Sequence, residues 1–125
     1  MYTLAVQRSF DATHHLIGGD WGKENEPHTH SYRLELLLQG TELNKHGYLV
    51  DLVELENKLD NLLDEYRRKD LNTLADFAGL NPSLEHFARI LCTRFTQMLN
   101  GIQLTGVSIK LWESETAWAS YRLEP

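Results

Sequence analysis

Two histidines one residue apart, His28-Thr29-His30, sit where a polar, glycine-containing loop gives way to an alternating run. On an extended chain, residues i and i+2 point to the same side. Neutral imidazole is a favoured zinc ligand, and a catalytic zinc keeps three protein ligands with one position open. A His-x-His pair supplies two of the three. His14 ends an earlier alternating run and shares the parity of its apolar residues, which makes it the candidate third. Three histidines on one face of neighbouring strands would close a zinc site. The same residues also read as three satisfied core or surface histidines, and spacing alone leaves both readings open.

The elements that must position these side chains are legible from periodicity. Tyr2, Leu4, Val6, Phe10 and Ala12 alternate with Thr3, Gln7, Asp11 and Thr13, the pattern of a half-buried strand. Leu16 to Pro27, with Gly18-Gly19-Asp20-Trp21-Gly22, reads as a loop. His28, His30, Tyr32, Leu34, Leu36 and Leu38 continue as a second strand, and Gly40 to Gly47 as a turn. An Asp51-x-x-Glu54 capping box opens a helix with the stripe Leu52, Leu55, Leu59, Leu62, Leu63 and Tyr66. Arg67 to Gly79 is polar and irregular. Asn81-Pro82 reads as an N-cap followed by proline at the first helical position. A second apolar stripe runs from Leu84 through Phe87, Leu91 and Phe95 to Leu99, and Asn100-Gly101 stops it. Val107, Ile109 and Leu111 make a third strand, and Ala117 to Leu123 a fourth. The order ββααββ predicts an α+β fold: a four-stranded, mainly antiparallel sheet with both helices on one face.

Bulk properties narrow the function classes. The 125 residues fit a single domain over 1–125, with 42% apolar and 24% charged residues. The formal charge of −6 argues against nucleic acid, whose binding relies on neutralising phosphates. Arg67-Arg68-Lys69 is the densest basic run and Asp70 follows it. One cysteine excludes an internal disulfide, and no transmembrane run is present, so a cytoplasmic protein with no membrane partner is expected.

Several spaced motifs together resemble the 6-pyruvoyl-tetrahydropterin synthase and 6-carboxytetrahydropterin synthase family. Phe10-Asp11-Ala12-Thr13-His14 is similar to its Phe-x-Ala-x-His, and His28-Thr29-His30-Ser31-Tyr32 to its His-Gly-His-x-Tyr. Gly47 to Asp51 resembles its Gly-x-x-x-Asp, and Asn81-Pro82-Ser83-Leu84-Glu85 its Asn-Pro-Thr-x-Glu. Glu113, with Trp118-Ala119 and Tyr121 beyond it, resembles the closing Glu-Thr…Tyr. The resemblance implies a tunnelling fold whose protomers join by sheet edges, commonly into a hexamer of two stacked trimers. It implies zinc on His14, His28 and His30, which acidifies the C–H beside a carbonyl or hydroxyl of a pterin side chain. It implies Glu113 as the anchor of the pterin ring, with Glu85 and Ser83 lining the pocket. Two carboxylate oxygens suit the paired N–H donors of an aminopyrimidinone.

Two departures shape the functional reading. The family's general base is usually a cysteine four residues before the first histidine of His-x-His; Glu24 stands there, with Glu26 a weaker competitor. The only cysteine, Cys92, lies on the apolar stripe of the second helix and reads as core. Glu24-x-x-Pro27-His28 resembles a variant group associated with cleaving 7,8-dihydroneopterin to 6-hydroxymethyl-dihydropterin. The family's Asp-His proton relay aligns with Arg67-Arg68, which suits an anionic side chain or simply the end of a helix. Neither His46 nor His86, both expected to face solvent, replaces the relay. The expected function is a zinc-dependent pterin lyase acting on 7,8-dihydroneopterin or its triphosphate, with Glu24 as base. The alternatives are a zinc-containing pterin- or purine-binding module with little catalysis, and a closed structural zinc site for which no fourth ligand is evident.

Overall fold

The first strand, β1 (Tyr2–His14), forms because its even positions, Arg8 apart, are mostly apolar and its odd ones mostly polar, and burial from Val6 onward follows that parity. Val6, Phe10, Ala12 and His14 are buried while Gln7, Ser9 and Asp11 are exposed. The computed structural model describes every residue from Met1 to Pro125. β2 (His28–Gly40) continues the pattern, burying Tyr32, Leu34, Leu36 and Leu38. With β3 (Gly106–Trp112) and β4 (Trp118–Leu123) these strands make one sheet in the order β1-β2-β3-β4. All three pairings are antiparallel, and the register sets His14 opposite His28 and Ala12 opposite His30.

Helices α1 (Leu52–Asp64) and α2 (Leu84–Gln97) pack on the face that buries these apolar residues. They contribute Leu55, Leu59, Leu62 and Leu63 from α1, and Phe87, Leu91, Cys92 and Phe95 among others from α2. Phe10 and Tyr32 stack at 5.4 Å, and Phe87 meets both edge-on at 5.9 and 5.3 Å. This aromatic knot lies directly behind the histidine end of the sheet. Arg8, on the covered face by parity, reaches out to Asp60 of α1 at 2.7 Å and Glu56 at 3.5 Å.

The structure corrects four details of the sequence reading. The N-cap of α2 is Ser83, whose hydroxyl accepts the His86 N–H at 3.1 Å, so Asn81 and Pro82 precede the helix. Asp51 does cap α1, accepting from Val53 and Glu54, but the Glu54 carboxylate turns to Lys58 at 3.0 Å rather than completing the box. Leu52 is exposed and leaves the α1 stripe. Residues 67–79 are more than polar filler: Leu71 and Phe77 enter the core on short 3₁₀ turns, Leu71–Thr73 and Ala75–Phe77.

That segment also seals the distal part of the β1 edge. The Arg68 N–H donates to the Asp11 carbonyl at 2.6 Å, and the Thr13 N–H to the Lys69 carbonyl at 2.9 Å. Arg68 does so with φ +59°, a left-handed conformation that costs a non-glycine residue roughly 1–2 kcal/mol. Beyond His14 the ladder is continued by side chains. Asn72 exchanges 2.9 and 3.0 Å hydrogen bonds with the backbone of His15, and Asn81 does the same with Ile17 at 2.8 and 3.0 Å.

Candidate metal centre

The three sequence-predicted ligands converge. The imidazole centroids of His14, His28 and His30 lie 4.6 to 4.8 Å apart, each pair edge to face. Strand register does this: His14 and His28 are cross-strand partners, and His30 is the next same-face residue along β2. His14 Nδ1 lies 2.9 Å from the Pro82 carbonyl, and His28 Nδ1 lies 2.8 Å from the Glu26 carbonyl. A carbonyl only accepts, so both Nδ1 atoms carry the proton and both Nε2 atoms keep a free lone pair. The Nε2 atoms of all three histidines are buried without a hydrogen-bond partner. Leaving one such atom unsatisfied costs about 1–3 kcal/mol, and three turned toward one point fit a shared cation.

Electrostatics keep His14 in the ligating form. Burial lowers its pKa to about 4, and the His30 and His28 rings push the same way against the Pro82 carbonyl, which raises it. Tyr32 backs the cluster, its hydroxyl 3.4 Å from His14 Nδ1, and burial pushes its phenol pKa up so that it stays protonated.

Glu24 joins the histidines. Its Oε2 lies 3.0 Å from His28 Nε2, and the four donor atoms of His14, Glu24, His28 and His30 fall within 4.8 Å of one another. A fourth donor is therefore at hand, contrary to the sequence reading. Folding of the loop brings it there. Glu24 lies on the 3₁₀ turn Gly22–Asn25, and its carbonyl accepts the Leu16 N–H at 2.8 Å. Asn25 fastens the turn by accepting from Trp21 N–H at 2.6 Å and donating to the carbonyls of Leu16 and Gly19.

The other sequence-predicted residues are distributed differently. Glu113 follows β3 directly, its N–H donating to Ala117 across a tight turn, and its carboxylate reaches 4.0 Å from His30 Nε2. It stands at the mouth of the site. Ser83 is occupied as the cap of α2, and Glu85 is exposed on the first turn of that helix; neither is hydrogen-bonded or ion-paired to His14, His28 or His30. Cys92 is buried in the core, where burial pushes its thiol pKa up. His46 is exposed as expected, but His86 is half-buried, its Nδ1 2.7 Å from the Asn81 carbonyl. Sequence reasoning missed Pro82 as the partner of His14, and missed His15, whose Nδ1 is also buried without a partner. Proximity to His14 was the one available signal for His15. A concavity of about 720 Å³ lies at the opposite end of the β1–β2 pair, around Tyr2, Leu43 and Tyr48.

Comparison with known proteins bears on what such a site does. The family model described as 6-pyruvoyl tetrahydropterin synthase matches residues 3–124. The chain belongs to that family. A dihydroneopterin monophosphate aldolase of Pyrococcus furiosus is 33% identical over 111 residues, covering 88% of each chain. A 6-carboxy-5,6,7,8-tetrahydropterin synthase of Haemophilus influenzae is 25% identical over 145 residues, covering 98% of this chain and 99% of its own. The solved structure of the Caenorhabditis elegans 6-pyruvoyl tetrahydropterin synthase superposes with a TM-score of 0.84 at 22% identity, covering 98% and 96% of the two chains. The fold is the tunnelling fold of these synthases, and the chain is a pterin-processing lyase of their family. No helix is long and apolar enough to cross a membrane.

Proposed function

We propose that the protein is a zinc-dependent lyase that cleaves the side chain of 7,8-dihydroneopterin or a phosphorylated form of it. The observation that carries the reading is the convergence of three buried, unpartnered Nε2 atoms with one carboxylate beside them. His14, His28 and His30 would hold the metal, whose contribution when bound is Lewis-acid polarisation of the side-chain oxygens. Glu113, at the mouth beside His30, would accept the paired N–H donors of the pterin ring and place its side chain over the histidines. Glu24 would act as the base. In a retro-aldol cleavage it takes the proton of the C2′ hydroxyl, and the C1′–C2′ bond breaks with its electron pair passing to C1′ and the conjugated ring. C1′ then takes a proton, giving 6-hydroxymethyl-dihydropterin and a two-carbon aldehyde. The aldolase name of the Pyrococcus relative supports this outcome over rearrangement to a 6-pyruvoyl or 6-carboxy product.

The position of Glu24 favours a second reading in which it is a fourth metal ligand and the centre is closed and structural. Product analysis separates the two. Zinc-loaded protein incubated with 7,8-dihydroneopterin, its monophosphate and its triphosphate should yield 6-hydroxymethyl-dihydropterin by mass spectrometry; no product from any of the three overturns the lyase reading.

The assembly proposed is a homo-hexamer of two trimers. The outer edge of β4 and the first half of β1 are uncovered strand edges, which natural sheets rarely leave unpaired. Light scattering at micromolar concentration should give six chains; a monomer contradicts it.

A further inference from the structure

The chain stays extended for three residues beyond His14, and their backbone groups alternate between two edges, as in a strand. His15 and Ile17 face the outer edge. There the side-chain amides of Asn72 and Asn81 accept their N–H groups at 2.9 and 2.8 Å and donate to their carbonyls at 3.0 Å. An asparagine amide offers both an acceptor and a donor, so each one replaces a peptide unit of a neighbouring strand. Leu16, between them, faces the other way. Its N–H donates to the Glu24 carbonyl at 2.8 Å, and its carbonyl accepts from Asn25 Nδ2 at 3.1 Å. The turn that carries Glu24 is therefore fastened to the one residue lying between the two asparagine clamps.

The Glu24 carboxylate depends on that fastening. It stands 3.0 Å from His28 Nε2 although 55% of the side chain is exposed, and no other side chain grips it. Its place is set by the backbone of the turn. Asn81 is pinned a second time, because its own carbonyl accepts the His86 Nδ1 proton at 2.7 Å, and the next carbonyl, that of Pro82, holds His14. We propose that Asn72 and Asn81 are positioning residues: acting through the backbone of residues 15–17, they fix where the Glu24 carboxylate stands against the three histidines. The assignment rests on the lyase reading above, in which Glu24 is the base, and deepens it by naming what aims that base. Misplacing a reacting group by about 1 Å can cost about 100-fold in rate.

In zinc-loaded protein, Asn72→Ala and Asn81→Ala should each lower kcat for dihydroneopterin monophosphate about 10- to 100-fold, with KM changed less than about threefold. In a Glu24→Gln background the same substitutions should change kcat by less than about twofold, because no base is left to aim. Limited chymotrypsin digestion supplies the arm independent of turnover. Trp21, at the start of the Glu24 turn, and Tyr48, in the turn before α1, are both exposed. Each alanine variant should raise the ratio of cleavage at Trp21 to cleavage at Tyr48 about tenfold, whereas Arg94→Ala, away from the turn, should leave the ratio unchanged. Asn72→Asp and Asn81→Asp keep the acceptor and lose the donor; this milder pair should move both readouts the same way by less. An unchanged cleavage ratio overturns the clamp even if the protein cleaves the pterin. So does a fall in kcat that is as large in the Glu24→Gln background, or a loss confined to KM. A raised ratio in a protein that yields no product overturns the lyase reading while the hold on the Glu24 turn stands.

Discussion

Two polar clusters flank the core, and they are built on opposite principles. Around Tyr66 every strong group is answered. The phenol donates to Asp76 at 2.6 Å and accepts from Arg94 at 2.7 Å, and Arg94 grips both oxygens of Glu65 at 2.9 and 2.8 Å. At the other cluster, the buried Nε2 atoms of three imidazoles and one carboxylate face one another, and none of the three Nε2 atoms has a hydrogen-bond partner. The first arrangement is complete as a fastening between the end of α1, the following turns and α2. The second is incomplete as protein alone. A buried network that satisfies itself holds structure, whereas one left unsatisfied marks where a ligand belongs.

The contrast can be broken at either end. The largest effect belongs to the histidines: His14→Ala, His28→Ala or His30→Ala should each lower zinc affinity more than about 100-fold, read by equilibrium dialysis with metal analysis. Asp76→Asn should leave it unchanged. Next, Glu24→Gln should cut turnover by about 10²–10⁴ while zinc content persists. Loss of zinc in that variant instead makes Glu24 a ligand and supports the closed centre. A smaller change is expected at the satisfied cluster, where Arg94→Ala should lower stability by about 1–2 kcal/mol in denaturant titration without altering zinc content.

The smallest effect concerns pH. Burial and the Asp76 hydrogen bond raise the pKa of Tyr66, more than Arg94 lowers it. The folded state therefore keeps a proton that the unfolded state releases above about pH 10, so stability is fully present below that pH and falls as pH rises beyond it. Tyr66→Phe should make the alkaline slope shallower, with the part due to Tyr32 remaining.

Much of this was readable before folding. The parity of β1 and β2 runs from Val6 to His14, interrupted by Arg8 alone, and from His28 to Leu38, and a one-residue slip would have buried Thr13 and Thr29 in place of the histidines. Both helices announced themselves by their leucine and phenylalanine stripes. What escaped depends on groups that meet only in three dimensions. The side-chain amides of Asn72 and Asn81 extend the β1 ladder, and nothing in their local sequence says so. Leu71 and Phe77 enter the core on turns too short to show a period. Ser83 caps α2 where Asn81-Pro82 looked the better signal, because the Asn81 side-chain amide is bound to the Ile17 backbone instead. Glu24 reaches the histidines through a loop fastened by Asn25, and spacing alone could place it only by resemblance.

The most direct test of the account is zinc-dependent cleavage. Protein stripped of metal should form no 6-hydroxymethyl-dihydropterin from dihydroneopterin monophosphate, and one equivalent of zinc per chain should restore its formation in the wild type but not in His28→Ala. Undiminished product from the stripped protein, or from His28→Ala, would contradict the claim that the unsatisfied histidines are the reaction's metal centre.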